Sequence, residues 1–152
     1  MNAEVRVEAA TFASGVSAES WRDAVRAAGL DLVNAAAVGP AYIDEMVQLI
    51  ENSGPYCVVA PHVAVPHSNA GSLVRQSGMA VVVLDEPVTF GHPYNDPVRV
   101  VIAIAARTAK QHITMLAALA NALDRPGAVK ELIAASDKDA ALKALRASVR
   151  TS

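Results

Sequence analysis

The sequence predicts an α/β sandwich, a single domain in which helices flank a mostly buried, mixed β-sheet. Three observations lead to this prediction. The chain has 152 residues, the size of one domain. Two uninterrupted apolar runs of strand length, 78–84 and 98–106, indicate strands that are covered on both faces. Segments with helical periodicity lie before and after these runs, so helices are available for both sides of the sheet.

The first third of the chain predicts an arm followed by two helices. Residues 1–16 alternate only weakly and are expected to form an N-terminal arm or an edge strand. Ser17 is a plausible N-cap for a first helix, because apolar residues then recur every three to four positions. A second helix is expected with Pro40 at its first position, and Gly54 is expected to end it.

The middle of the chain predicts short strands and loops. Prolines divide the β-branched run at 56–65 into two short strands, so His67 follows a strand end. Residues 85–87 and 91–97 are expected to be loops on either side of a short segment at 88–90.

The last third predicts three helices. Thr108 and Gln111 have the spacing of a capping box, and the helix that follows has an apolar set at helical spacing. This expected buried face consists of Ile113, Leu116, Ala117, Ala120 and Leu123. A short helix is expected after a break at Pro126, and Ser136 is expected to cap the last helix. The main domain is therefore expected to span 17–147, with a tail at 148–152.

Composition argues against several classes of protein. The 13 Lys and Arg against 15 Asp and Glu give a formal net charge of −2, without the basic excess of a nucleic-acid binder. The apolar runs are shorter than a membrane span. Residues 1–4 have no signal-peptide character, and the single Cys57 cannot form an intramolecular disulfide. These features predict a protein of the reducing cytoplasm.

His67 is the first candidate functional residue. It follows Pro66 at the end of a predicted strand, where ligands commonly bind in α/β folds. Small polar residues such as Ser68 and Asn69 come next, and their backbone N–H groups could face an anion such as phosphate. The alternative is an ordinary loop histidine.

His112 is the second candidate, because it lies in the first turns of a predicted helix. A helix N-terminus favours negative charge and keeps an imidazole neutral. Its neighbours on the helical wheel are Met115, Leu116 and Leu119, so the ring is expected to point toward the sheet. The alternative is a core histidine with one satisfied nitrogen.

Other chemistries have weaker support in the sequence. His62 and His92 stand beside prolines and are expected to be surface loop residues. The four histidines together with Asp96 could supply metal ligands, but no HxH, HxxxH or CxxC pair occurs. No G-x-S-x-G elbow, phosphate-binding P-loop or G-x-G-x-x-G motif is present. Cys57 lies within an apolar run and is expected to be an inert, buried thiol.

Several segments occur together in a specific order. They are residues 54–67 (GPYCVVAPHVAVPH), 87–91 (PVTFG), 96–98 (DPV) and His112 at the start of a helix rich in Leu and Ala. This combination resembles the enzyme IIA (EIIA) component of the bacterial sugar phosphotransferase system. Within that system it is similar to the mannitol/fructose superfamily, EIIA type 2, and most similar to the ascorbate-type branch. The resemblance covers roughly residues 21–145.

The resemblance implies a cytoplasmic phosphocarrier that needs no cofactor or metal. Such a protein accepts a phosphoryl group from the small carrier HPr and passes it to a cysteine of enzyme IIB, which serves the IIC membrane permease in ascorbate-type sugar uptake. His67 matches the phosphoryl acceptor, and His112 matches the second histidine, which stabilises the phosphoryl group. The alternative is a regulatory, nitrogen-related EIIA module, in which phosphorylation of the same histidine switches protein partners.

The sequence departs from the ascorbate-type pattern after the acceptor. Members of that branch usually carry Ala-Arg there, whereas this chain has Ser68 and Asn69. These two residues are the expected phosphate-binding groups, and Arg75 is an alternative source of the missing positive charge. His62 stands where glycine is common in the branch.

Overall fold

A computed structural model describes residues 4–69, 71 and 73–149. Within these residues the chain forms five α-helices and seven β-strands. In chain order they are β1 (Val5–Val7), β2 (Ala9–Val16), α1 (Trp21–Asn34), α2 (Ala41–Ser53), β3 (Val58–Ala60), β4 (Val63–Ala64), β5 (Gly78–Val88), β6 (Val98–Ala105), α3 (Ala109–Leu123), α4 (Ala128–Ala134), α5 (Lys138–Ala144) and β7 (Ala147–Val149).

The main sheet has five strands in the order β2-β5-β6-β4-β3. β2 and β5 are parallel, as are β6 and β4, whereas β5 with β6 and β4 with β3 are antiparallel. This arrangement confirms the predicted α/β fold with a mixed sheet. β1 and β7 form a separate parallel pair, so residues 148 and 149 belong to a strand, whereas the sequence predicts a tail from 148. Residues 150–152 lie outside the described part.

The two faces of the sheet are both buried. On β5, Met79, Val81 and Val83 pack in a cluster with buried residues of α3, α4 and α5. The alternating residues 80, 82 and 84 pack in the cluster that contains those of α1 and α2. Complete burial of one valine or leucine side chain stabilises a fold by about 1.5–3 kcal/mol. The continuous apolar run therefore reflects a strand with two buried faces.

The helix caps differ from two of the predictions. Ser20 caps α1, with its hydroxyl 3.2 Å from the N–H three residues on, so the prediction of Ser17 is wrong. Asp137 caps α5 in the same way at 2.8 Å, and the prediction of Ser136 is wrong. A capping side chain reaches the first turn only from the residue next to the helix. Pro40 directly precedes α2 and already has helical backbone angles, as expected for a proline at the start of a helix.

β5 is longer than the sequence predicts. Residues 85–87 belong to this strand, and the prediction of a loop there is wrong. These residues are exposed, and the pairing with β6 is irregular between Val83 and Val88. A proline and two carboxylates are tolerated there because the strand projects into solvent without regular pairing.

α3 buries a different face from the predicted one. Its buried residues are Met115, Ala118, Leu119, Ala122 and Leu123, and only Leu123 belongs to the expected set. Ile113 is 68% exposed. The helix carries two overlapping apolar sets at helical spacing, and packing against the sheet selects the one that begins near His112.

Gly78 at the start of β5 marks a close approach between β5 and α1. A Cβ at Gly78 would lie 2.8 Å from the Cβ of Ala37 and 3.0 Å from Cδ2 of Leu32. We expect Gly78→Val to lower the free energy of unfolding by about 1–3 kcal/mol through overpacking. Urea denaturation measures this change. Gly39→Ala is the control, because a Cβ at Gly39 meets no atom within 4 Å. Equal unfolding free energies for the two variants would contradict the prediction.

Candidate functional site

The candidate site lies at one edge of the main sheet. β4 and β6 are parallel, so the chain leaves both strands at the same edge. Residues 65–68, which follow β4, are called the acceptor segment below. The backbone N–H of Ile104 in β6 donates to the carbonyl of Pro66 at 3.1 Å, which fixes this segment against the sheet. α3 begins four residues after β6 ends. The first turn of α3 therefore lies beside the acceptor segment.

The structure brings His67 and His112 together. Their ring centroids are 4.7 Å apart, and the ring planes are inclined by 64°. His67 comes from the acceptor segment, and His112 comes from the first turn of α3. The hydroxyl of Thr108 accepts the N–H of Gln111 at 3.1 Å, so the predicted N-cap of this helix is confirmed.

Hydrogen bonding fixes the tautomer of the neutral His67 ring. Its Nδ1 lies 2.8 Å from the carbonyl oxygen of Val65. A carbonyl oxygen can only accept, so Nδ1 carries the proton and Nε2 carries the free lone pair. Burial lowers the pKa of His67, and the bond to Val65 offsets this only in part. The ring is therefore neutral at neutral pH, and Nε2 is its nucleophilic atom.

His112 is arranged to donate a hydrogen bond from Nε2. Its Nδ1 is buried and has no hydrogen-bond partner among the described residues. An unpaired buried N–H is rarer in proteins than an unpaired acceptor, so we infer that the proton of the neutral ring sits on Nε2. Burial, followed by the charge of a protonated His67, lowers the pKa of His112. The pair thus combines a nucleophilic nitrogen with a neutral donor.

A model of a known protein family matches most of the chain. Residues 7–148 match the family model of the phosphoenolpyruvate-dependent sugar phosphotransferase system, EIIA 2. The chain belongs to this family. The resemblance predicted from the segments around His67 and His112 is therefore confirmed.

Relatives of this EIIA-family chain include an ascorbate-specific EIIA component. The chain is 43% identical over 96 residues to the component from Shigella boydii serotype 4. That match covers 62% of this chain and 62% of the relative, so the matched part is less than two thirds of either.

Solved structures share the fold of this EIIA-family chain. A putative phosphotransferase IIA domain from Streptococcus pyogenes has a TM-score of 0.78 and 32% identity, covering 88% of this chain and 86% of that one. The mannitol enzyme IIA from Escherichia coli, in complex with phosphorylated enzyme IIB, has a TM-score of 0.76 and 31% identity, covering 88% and 92%.

The residues after His67 differ from the expectation of free backbone donors. Ser68 is buried, at 4% exposure, and its N–H donates to the hydroxyl of Tyr42 at 3.2 Å. This N–H is therefore not free to bind an anion. Asn69 is exposed beside it. Arg75 is also exposed. Among the described residues, no hydrogen bond joins its guanidinium to either histidine of the candidate site.

His62 and His92 lie away from the pair. His62 precedes β4 and His67 follows it, and Nδ1 of His62 bonds the carbonyl of Pro97 at 2.8 Å. His92 accepts the N–H groups of Tyr94 and Asn95 at 3.2 and 3.0 Å. Both histidines therefore organise the loop before β6. No group of three or more His, Cys, Asp or Glu among the described residues could hold a metal ion.

Cys57 lies in the hydrophobic core. Its side chain is fully buried, and this burial raises the pKa of the thiol to about 12. A thiol that stays protonated is a poor nucleophile, so Cys57 fits the predicted inert, buried thiol.

Among the helices that the structure describes, none has the length and apolar character needed to cross a membrane.

Tyr42 and Tyr56 contact the acceptor segment and were not identified from the sequence as site residues. Their hydroxyls bond the Ser68 N–H and the His67 carbonyl, respectively. Periodicity places Tyr42 only on the buried face of a helix. The sequence could have pointed to Tyr42 only through its chemistry, since a buried tyrosine needs a hydrogen-bond partner for its hydroxyl. The identity of that partner depends on tertiary contacts.

Proposed function

We propose that this chain is a cytoplasmic phosphocarrier of a sugar phosphotransferase system. His67 accepts a phosphoryl group from phosphorylated HPr and passes it to a cysteine of an enzyme IIB, which serves a IIC permease. The observation that carries this proposal is the His67–His112 pair, with centroids 4.7 Å apart. Ascorbate-type uptake is the proposed pathway, supported by relatives that are named ascorbate-specific.

Acceptance is a direct transfer between two imidazoles. The lone pair on Nε2 of His67 attacks phosphorus, and the new N–P bond forms as phosphorus leaves the histidine nitrogen of HPr. That nitrogen keeps the bonding electron pair. The ring of His67 becomes cationic while Nδ1 keeps its proton, and the carbonyl of Val65 at 2.8 Å stabilises that charge.

His112 stabilises the phosphoryl group during transfer. The transition state of phosphoryl transfer spreads negative charge over three equatorial oxygens, so positioned donors lower its energy. The N–H inferred at Nε2 of His112 supplies such a donor. The side chains of Ser68 and Asn69 are proposed as further donors, because both follow the acceptor directly.

Onward transfer removes the phosphoryl group from the same nitrogen, Nε2 of His67. The thiolate of the IIB cysteine attacks phosphorus, an S–P bond forms, and Nε2 of His67 regains its lone pair. The solved complex of the mannitol enzyme IIA with phosphorylated enzyme IIB supports this kind of partner.

Phosphoryl acceptance is expected to persist below the pH at which an ordinary histidine becomes protonated. The protonated ring has no lone pair at Nε2, and burial lowers the pKa of His67 from the usual 6.5. The acceptance rate should therefore be constant at and above that pH and fall only below it. Rapid-quench kinetics measure the profile, with free imidazole as a control acceptor that shows the profile of an unburied ring toward the same donor. An inflection at or above 6.5 for the protein would contradict the prediction.

Radiolabelled phosphoenolpyruvate, enzyme I and HPr test the proposed function. The chain should gain one acid-labile phosphoryl group and lose it when an ascorbate-type enzyme IIB is added. Absence of label on the wild-type chain would overturn the proposal. Label that no enzyme IIB removes would instead support a regulatory EIIA module.

A further inference from the structure

The peptide group between His67 and Ser68 is held on both sides by tyrosine hydroxyls. The hydroxyl of Tyr56 donates to the His67 carbonyl at 3.0 Å. The N–H of Ser68 donates to the hydroxyl of Tyr42 at 3.2 Å. Tyr42 comes from α2, and Tyr56 precedes β3. Both polar groups of a single peptide unit are thus satisfied by side chains from two different parts of the chain.

Tyr42 connects this peptide group to the sheet. Its side chain is 1% exposed, and its hydroxyl donates to the carbonyl of Ile104 at 2.7 Å. The Tyr42 hydroxyl therefore donates its one proton to the carbonyl of Ile104 in β6, and one of its lone pairs accepts the Ser68 N–H. Ile104 also donates its own N–H to the carbonyl of Pro66 at 3.1 Å. One residue of β6 thus holds the acceptor segment directly and through Tyr42.

Tyr56 also contacts the imidazole of His67. The two ring centroids are 5.2 Å apart, with the planes inclined by 85° in an edge arrangement. The Tyr56 side chain is partly exposed, at 37%. It therefore limits rotation of the His67 ring from the solvent side.

We propose that Tyr42 and Tyr56 are positioning residues for the phosphoryl acceptor. Their hydroxyls fix the peptide group between His67 and Ser68. This keeps Nδ1 of His67 hydrogen-bonded to the carbonyl of Val65 and directs Nε2 toward the space beside His112. This inference rests on the proposed function for its kinetic consequence. Its structural consequence, one dominant neutral tautomer of His67, does not depend on any phosphoryl donor.

Tyrosine-to-phenylalanine variants separate the hydroxyls from the packing of the rings. Tyr42→Phe and Tyr56→Phe keep the aromatic ring and remove the hydrogen bonds. Tyr94→Phe is the matched control, because Tyr94 is 88% exposed and lies in the loop before β6. Nitrogen NMR of isotope-labelled histidine reports the tautomer of His67 in each unphosphorylated variant. Rapid-quench kinetics over a range of phosphorylated HPr concentrations report kcat and KM for acceptance.

Both site variants should show an increased fraction of the His67 tautomer with the proton on Nε2. We expect kcat to fall by about tenfold in each, because small misplacements of a reacting group are costly. KM for phosphorylated HPr should change little in Tyr42→Phe, since that ring is buried. The two effects should be less than additive in the double variant, because both hydroxyls act on the same peptide group.

The outcomes distinguish this inference from the proposed function. Wild-type tautomer and kcat in both site variants would overturn the positioning role while leaving phosphoryl acceptance intact. A wild-type chain that accepts no phosphoryl group would overturn the proposed function, and the tautomer measurement would still decide the positioning role. If Tyr42→Phe fails to fold, Tyr56→Phe decides alone, because its ring lies at the surface.

Discussion

His67→Ala is expected to accept no phosphoryl group from phosphorylated HPr. The substitution removes the free lone pair of Nε2, and the free lone pair inferred for His112 lies on its buried Nδ1, which phosphorylated HPr cannot reach. Radiolabelling with phosphoenolpyruvate, enzyme I and HPr measures the loss. The variant should keep the fold, because the His67 side chain makes a single hydrogen bond within its own segment.

Two other histidines provide matched controls for this loss. His62→Ala and His92→Ala should be labelled as fully as the wild type, because these side chains bond the loop before β6. Circular dichroism verifies that all three variants fold. Full labelling of a folded His67→Ala would contradict the assignment of the acceptor.

His112→Ala is expected to slow acceptance by about 10²- to 10³-fold, the usual cost of removing one transition-state donor. The variant should still reach one phosphoryl group per chain after long incubation, because the nucleophile is intact. Rapid-quench kinetics measure the rate, and the final labelling measures the capacity.

His112→Gln is the informative companion variant. Its side-chain amide can donate a hydrogen bond, so it should recover part of the rate that His112→Ala loses. A complete and permanent loss of labelling in both variants, equal to that of His67→Ala, would contradict the division of roles. An unchanged rate in His112→Ala would contradict it as well.

The fold was largely predictable because its strongest signals are local. A β-branched apolar run of strand length is typical of a strand between two layers, as β5 and β6 are. Periodicity also located the helices, but it could not choose among neighbouring cap residues such as Ser17 and Ser20. In α3 two apolar sets share the helical period, and only contact with the sheet selects Met115 over Ile113.

The proximity of the two histidines was indicated by their positions in the sequence, although their roles came from the family resemblance. His67 follows a strand and His112 begins a helix, and such positions meet at one edge of an α/β sheet. The tyrosine contacts were not predictable, because they join residues that are distant in sequence. The hydroxyl of Tyr42, for example, accepts the N–H of Ser68, which the sequence suggested was free to bind an anion.

The central claim is that Nε2 of His67 carries the phosphoryl group. Phosphorus–nitrogen coupling in NMR spectra of the phosphorylated protein, prepared with isotope-labelled histidine, tests it most directly. The coupling should connect phosphorus to Nε2 of His67, with Nδ1 still protonated and bonded to the carbonyl of Val65. Coupling to Nδ1 of His67, or to any nitrogen of His112, His62 or His92, would contradict the account.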